Sequence, residues 1–399
     1  MSHAKTDTPI EITGAGPAGL AAAITLARGG ARAVVYERRS RIGGRFHGDF
    51  QGLENWTTRD DVLEELASIG IEPSFDYAPF HEMTVFDPGG HPYAYRSSIP
   101  FFYLVRRGQE SGTLDANLLA QALRMGVDVR FNEARHHLPA GGIVAQGPRS
   151  ADAMAVGYVF DTDAADGAYA ALSDRLAPKG YSYLLVSHGR GTVAACIFED
   201  FHSERAYLER TLEFFRQVVN VPMRNPRRFG GVGNLFYPRT AQSGKLLFAG
   251  EAAGFQDPLW GFGMRYAMLS GHLAAQAILE SNPAQYEKRW RQRLGGLMRS
   301  GTVNRYFFGR LQDRSYSRFA ARLSKQRDHR AAVRRLYQPS WWKSLWFPFA
   351  ERSLRRQVRT VSCLIESCDC TFCRCLRELQ SNVGGGAEQG RSQYDFKRN

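Results

Sequence analysis

The sequence predicts an α/β protein. A strand–helix–strand domain opens the chain, an antiparallel sheet is inserted into it, and a helical segment closes it. Three observations carry this. A glycine turn sits between an apolar run and an alanine-rich helix near the start. Alternating apolar and aromatic stretches, punctuated by Gly and Pro, fill the middle. Beyond Pro283 the chain becomes helical, basic and aromatic.

Taken in order, "PIEIT" reads as a strand, "GAGPAGLAAAITLARGG" as a turn feeding a helix, and "ARAVVYE" as a second strand. "DDVLEELASIG" has helical periodicity ending at Gly70. Short strands follow at "EMTVFDP", "HPYAYR" and "FFYLVRR", then a helix at "TLDANLLAQALRMG" and a strand at "VDVRF". The run from Ala155 is strand-rich, and "SERAYLERTLEFFRQVV" is a helix. "KLLFAGEAAG" returns to strand and turn before the long helix "GMRYAMLSGHLAAQAIL". The expected division is a nucleotide-binding domain over 1–80, 107–150 and 236–282. Substrate-domain strands fall in 81–106 and 151–235. A basic helical segment covers 283–362, a cysteine-rich motif 363–380, and a polar, Gly-rich, disordered tail 381–399.

At 399 residues, two packed lobes are the natural expectation. No run approaches the ~20 uninterrupted apolar residues of a spanning helix. With no secretion-signal layout at the N-terminus, a cytoplasmic location is expected. The net charge of +13 is uneven: residues 286–359 hold 20 Lys or Arg against 4 Asp or Glu. That late segment meets an anionic surface or is a solvated helical face.

Gly14, Gly16 and Gly19 form G-x-G-x-x-G between strand and helix, with Pro17 and Ala18 inside it. Gly14 allows the tight turn, Gly16 lets the backbone approach a pyrophosphate, and Gly19 lets helix and strand pack closely. The helix N-terminus offers free N–H groups to phosphate. Glu37, with Arg38 beside it, ends the second strand, where an acid accepts ribose hydroxyls. The fingerprint is shared by NAD and FAD, and two further stretches point to FAD. In "ERRSRIGGRF", Gly44 allows close approach and Arg45 can neutralise a diphosphate. In "LLFAGEAAGFQDPLWGFGM", Gly250, Glu251, Pro258, Gly261, Gly263 and Met264 form a turn opening a helix, and Glu251 suits a ribityl chain.

This layout resembles the para-hydroxybenzoate hydroxylase-type flavoproteins, and within them the geranylgeranyl reductase family. The family's late motif is similar to G-D-A-A-G…P…G-G-G-x-x-x-A-M-x-S-G. Here Glu251 replaces the Asp and Phe262 the middle Gly. "PKGYSYLLV" carries the first half of a second family motif at Pro178, Tyr181 and Tyr183. The resemblance covers roughly Ile10 to Leu279. It implies a Rossmann-type FAD-binding domain with an inserted antiparallel-sheet substrate domain. It also implies reduction of carbon–carbon double bonds in an isoprenoid substrate, with reduced ferredoxin or NAD(P)H as electron source. The cysteine some members carry after the ribose acid is absent; "GGRFHGDF" offers His47 and Asp49 instead. Candidate proton donors are Tyr181, Tyr183 and His47, each weighed against a cavity-lining or surface role. Arg107 reaches either the flavin phosphates or a structural salt bridge. A flavin monooxygenase or a desaturase or amine-oxidase-like enzyme is the alternative, and a non-catalytic docking flavoprotein a third reading.

The tail has two further features. "QPSWWKSLWFPFAERSLRRQVR" mixes Trp and Phe with cations, which suits peripheral contact with a membrane surface; the other reading is a helical cap. Nucleic acid is not expected, since no binding module accompanies the charge. "CDCTFCRC" places Cys368, Cys370, Cys373 and Cys375 as candidate ligands for Zn or an iron–sulfur cluster. A thiol relay, palmitoylation and a silent tail are the competing readings.

Overall fold

The computed structural model describes residues 8–148, 150–357 and Thr371. The first half contains β1 (Ile10–Thr13), α1 (Pro17–Arg28), β2 (Ala33–Glu37), β3 (Phe50–Glu54) and α2 (Val62–Ser68). It continues through β4 (Tyr77–Phe80), β5 (Glu82–Phe86), β6 (Pro92–Arg96), β7 (Phe102–Arg106), α3 (Leu114–Arg124), β8 (Asp128–Phe131) and β9 (Gly142–Val144). Next come β10 (Ala153–Asp161), β11 (Gly167–Ala171), β12 (Tyr181–Ser187), β13 (Arg190–Ile197), α4 (Glu204–Val218), β14 (Arg224–Gly233), β15 (Gln242–Ser243), β16 (Leu246–Phe248) and α5 (Met264–Leu279). Helices α6 (Ala284–Trp290), α7 (Gly296–Phe308), α8 (Asp313–Ser324), α9 (His329–Tyr337) and α10 (Trp341–Gln357) follow.

Three sheets result. The first runs β15-β16-β9-β1-β2-β8 and is parallel except at the β15 edge. Its central strands are buried on both faces, as parallel strands covered by helices must be. Helix α1 is buried almost all round because Leu20 to Leu26 face either this sheet or α5. Each large apolar side chain there contributes about 1.5–3 kcal/mol by leaving water. The close approach of the two helices needs Gly271, where a Cβ would overlap the Ala18 carbonyl oxygen. Any larger residue at 271 would push α5 away.

The second sheet, β14-β10-β13-β12-β11-β5-β6, is antiparallel except for the parallel β11–β5 pair. Its strands alternate. On β12, Ser182, Leu184 and Val186 are buried toward α4, where Ser182 Oγ and Thr211 Oγ1 are 2.8 Å apart. Tyr181, Tyr183 and Leu185 occupy the other face. The strand stretch 81–106 divides: β5 and β6 join this sheet, while β7 pairs with β3 and β4 in a third. Helices α7 to α9 then pack over the aromatic cluster around Phe102, Phe308 and Tyr316. The late basic segment is therefore part of the folded body.

Candidate active site

One cavity of ≈ 3360 Å³ runs between the first sheet, the antiparallel sheet and the late helices. A drug-sized ligand fills roughly 300–1,000 Å³, so a dinucleotide and a second long molecule both fit. All the sequence-predicted cofactor positions line it except Gly19: Gly14, Gly16, Pro17, Ala18, Glu37, Arg38, Gly44, Arg45 and Arg107, then Gly250, Glu251, Pro258, Gly261, Gly263 and Met264. Gly19 instead sits against the turn, where a Cβ would overlap the Gly14 carbonyl oxygen.

The glycine turn is built for close approach. Gly14 has φ +94°, and a Cβ there would meet the Ala145 carbonyl oxygen at 2.5 Å. A Cβ on Gly16 would meet nothing within 4 Å, so its missing side chain opens onto the cavity. Gly16 caps α1 with no side-chain cap, which leaves the first-turn N–H groups for an anion. Glu37 Oε2 accepts from the Ala15 N–H at 3.0 Å, which ties the ribose-side acid to the turn. At the other end, Gly263 caps α5 without a side-chain bond. Gln256 lines the cavity between these ends, its Oε1 buried with no partner among the described residues. These features fit a dinucleotide whose two ends meet two helix N-termini. The residues present therefore fit FAD.

Two predicted ligand contacts engage each other in the chain itself. Arg45 Nη1 and Glu251 Oε2 are paired at 2.8 Å, and Arg45 Nη2 donates to the Val232 carbonyl at 3.0 Å. Arg107 is buried and grips Asp115 with two bonds of 2.9 and 2.8 Å, with its guanidinium 4.0 Å from the Phe46 ring centre. Burial opposes its charge, and Asp115 outweighs that, so its pKa is raised. Of the two readings of Arg107, the salt bridge is the one its geometry carries.

The three candidate proton donors sit differently. His47 is exposed at the cavity's edge, its backbone N–H donating to Asp49 Oδ1 at 3.0 Å. The Tyr181 hydroxyl donates to the Trp260 carbonyl at 2.8 Å. Tyr183 makes no hydrogen bond through its hydroxyl among the described residues. Burial raises both tyrosines well above the ordinary range, and the Asp49 charge raises Tyr183 further. Both stay protonated at neutral pH.

Several wall residues carry no signal in a motif. Cys196 pairs in register with Tyr181 and lines the cavity, and burial pushes its thiol up to about 12. Arg305 is buried, with no carboxylate partner among the described residues. It donates to the Leu259 carbonyl at 3.1 Å and to the Lys179 carbonyl, and lies over the rings of Phe198 (4.2 Å) and Phe308 (5.0 Å). Burial lowers its pKa to about 10. Asp257 holds the loop before α5, accepting from the N–H groups of Leu259 (3.0 Å) and Trp260 (2.9 Å) and from the Tyr337 hydroxyl (2.8 Å). Phe262 occupies the family's glycine position. Its ring stands edge-on to Trp56 at 4.7 Å and covers Gly52, where a Cβ would meet it at 2.9 Å. An arginine in a small-residue helix is the signal that finds Arg265. It is buried with Glu54 (3.0 Å) and Glu65 (2.5 Å), and Arg293 also reaches Glu65.

Cys368, Cys370, Cys373 and Cys375 lie outside the described residues. Thr371, between them, is buried: its N–H and hydroxyl both bond Glu204 at 3.0 Å, and Glu204 pairs with Arg228 at 2.8 Å. Among the described residues there is no cluster of metal-binding side chains.

Residues 12–53 match the family model described as NAD(P)-binding Rossmann-like domain. The structure of a geranylgeranyl bacteriochlorophyll reductase-like protein from Thermoplasma acidophilum superposes with a TM-score of 0.68. It is 20% identical and covers 88% of this chain and 99% of that one. The chain shares the fold of that protein. In sequence, the chain is 24% identical to the digeranylgeranylglycerophospholipid reductase of Methanosphaerula palustris, covering 76% of this chain and 87% of that protein. The p-nitrophenol 4-monooxygenase of Pseudomonas putida shares the fold at TM-score 0.59 and 16% identity, over 87% of this chain and 99% of that one. A shorter match, 39% identical over 62 residues, reaches the thiamine thiazole synthase of Pyrococcus horikoshii. It spans 16% of this chain and 25% of that protein.

Proposed function

We propose that the chain is an FAD-dependent oxidoreductase of geranylgeranyl reductase type, reducing C=C bonds of a polyprenyl lipid or a related apolar substrate. The observation that carries this is a single cavity joining two uncapped helix N-termini to an apolar sheet face. Met83, Ala168, Ala170 and Leu185 line that face, and Phe102 of β7 lines the cavity beside it. The likeness to a digeranylgeranylglycerophospholipid reductase supports the substrate class.

Gly14, Gly16 and Glu37 would hold the adenosine end, and the loop from Gly250 to Gly263 the other end. Reduced flavin, when bound, would supply hydride to one carbon of the double bond. The chain supplies the proton for the other carbon and keeps water out. Tyr183 is the better placed donor, because Tyr181 is committed to the Trp260 carbonyl and His47 is exposed. The apolar wall and the edge-on aromatic rings of Tyr181 and Trp260, 5.6 Å apart, orient an extended hydrocarbon.

The test is purification with bound FAD, followed by anaerobic turnover of a polyprenyl lipid with reduced ferredoxin or NAD(P)H. Tyr183→Phe should keep its flavin and lose product formation by about 10²–10⁴-fold. Protein that purifies and reconstitutes without flavin sinks the proposal. Substrate-stimulated oxygen uptake in place of reduction would move it to the monooxygenase reading. A peripheral, membrane-apposed setting belongs to the same proposal, since the substrate is a lipid. Zinc or an iron–sulfur cluster at the four late cysteines is tested by metal analysis of the same preparation.

A further inference from the structure

Helix α10 carries an unusual face. Trp341, Trp342, Leu345, Trp346 and Phe349 recur at helical spacing on one side, while Lys343, Phe347 and Ala350 point to the body. Trp341, Leu345 and Phe349 are 80%, 63% and 65% exposed. A monomeric surface rarely leaves so many large apolar groups together. The stripe continues onto α7: Phe307 meets Trp346 at 5.2 Å and Trp342 at 6.2 Å, and Tyr306 meets Trp346 at 6.1 Å.

Cations border it. Arg310 lies 3.5 Å from the Tyr306 ring centre and is exposed; Arg352 is exposed one turn beyond Phe349 on the same face of α10. The cavity reaches the surface here as well, at Arg310, Pro348 and Arg352. An aromatic stripe, a cationic border and a cavity mouth therefore share one face.

We infer that this α7–α10 face seats the protein on an anionic phospholipid bilayer, with the cavity mouth opening against the lipid. The inference rests on the polyprenyl-lipid reading for what enters the mouth, but not for the docking itself. Trp and Phe beside cations suit the headgroup boundary, and negative lipid answers the charge. No described helix is long and apolar enough to cross a membrane, so the contact is with one leaflet. A substrate whose apolar chain lies in the bilayer then passes into the apolar wall without crossing water.

The test uses full-length, flavin-loaded protein and sedimentation with two vesicles: phosphatidylglycerol mixed equally with phosphatidylcholine, and phosphatidylcholine alone. The variant is Trp341→Ser/Leu345→Ser/Phe349→Ser, whose three positions do not line the cavity. The expected result is binding to the anionic vesicles, weakened by salt, and a loss of at least about tenfold in the variant with flavin retained. The variant should also lose turnover of bilayer-embedded substrate while keeping turnover of the same substrate in detergent. Equal binding by variant and wild type, or no binding to anionic vesicles, overturns the inference. So does a wild-type dimer that the variant converts to monomer without any vesicle binding, since a second copy then covers the stripe. If wild type turns over no polyprenyl lipid in either setting, the reductase proposal fails while the vesicle result still decides the docking.

Discussion

Asp257→Asn gives a stability difference whose sign should reverse with pH. The carboxyl is fully buried beneath the loop that opens α5, and burial pushes its pKa to about 6 from an ordinary 3.8. Folding therefore takes up a proton between those values. The stabilising part is complete below about pH 4 and is lost as pH rises through about 6. A shift of about two units corresponds to about 3 kcal/mol. Asparagine is neutral at every pH, so it removes this dependence. It also has one acceptor oxygen where both carboxyl oxygens receive backbone N–H groups, a loss of about 1–2 kcal/mol at every pH. Wild type should exceed the variant by that amount near pH 4 and fall level with it or below it by pH 8. For 399 residues the unfolding entropy is about 0.8 kcal/mol per degree, so the swing in Tm difference is about 4 °C. Differential scanning calorimetry of both proteins at matched pH values reads it, and the other carboxylates cancel in the difference. A Tm difference that stays constant from pH 4 to 8 would refute the assignment of a raised pKa to Asp257.

Other substitutions separate ligand holding from folding. Gly16→Ala should leave Tm unchanged and lower flavin content at purification, because its Cβ enters open cavity. Gly19→Ala should lower Tm, because its Cβ meets backbone; thermal scans with flavin absorbance distinguish them. Arg265→Met leaves Glu54 buried without its cation, and should cost about 3–5 kcal/mol, or about 4–6 °C, by calorimetry. Burial alone would raise Glu65, but Arg265 and Arg293 hold its pKa below the ordinary 4.5. That stabilising part is present above pH 4.5 and lost as pH falls, so the Arg265→Met penalty should shrink in acid. The Cys196 thiol, pushed up to about 12, should alkylate at least about a hundredfold more slowly in the native protein than in denatured protein at pH 8, followed on its own peptide by mass spectrometry.

The nucleotide end was legible because its constraints are local. A positive-φ glycine, an uncapped helix start and an acid ending the next strand sit within 24 positions, from Gly14 to Glu37, and each leaves a residue-type signature. The alternation of Tyr181 and Tyr183 on one sheet face was legible for the same reason: period two survives in any strand. Arg45 and Glu251 are 206 positions apart, and their pairing is a property of the closed domain that no window of sequence contains. Arg305 was silent because it meets the carbonyls of Leu259 and Lys179, 46 and 126 positions away. The fate of β7 was also hidden: nothing in its apolar run marks pairing with β3 and β4 rather than with β5 and β6.

The resemblance read from sequence ends near Leu279, yet the helices beyond it finish the cavity. Arg305 on α7 donates to the carbonyls of Leu259 and Lys179, and so bridges the α5 loop and the start of β12. Tyr337 on α9 bonds Asp257 in that same loop, and His329 Nδ1 lies 2.9 Å from the Arg96 carbonyl oxygen at the end of β6. Any residue's backbone carbonyl can accept an arginine's hydrogen bond, so the Arg305 joints impose no pattern on the residues they touch. They do impose geometry: Trp260 is held between Tyr181 and Phe308, whose rings lie 5.6 and 4.8 Å away. Shortening the chain after Leu279 would therefore remove one wall of the apolar channel while leaving the glycine turn in place. In the reading proposed above, flavin binding and substrate reduction depend on different parts of the chain for that reason, and the face proposed to meet the bilayer is the outer side of the wall proposed to hold the substrate.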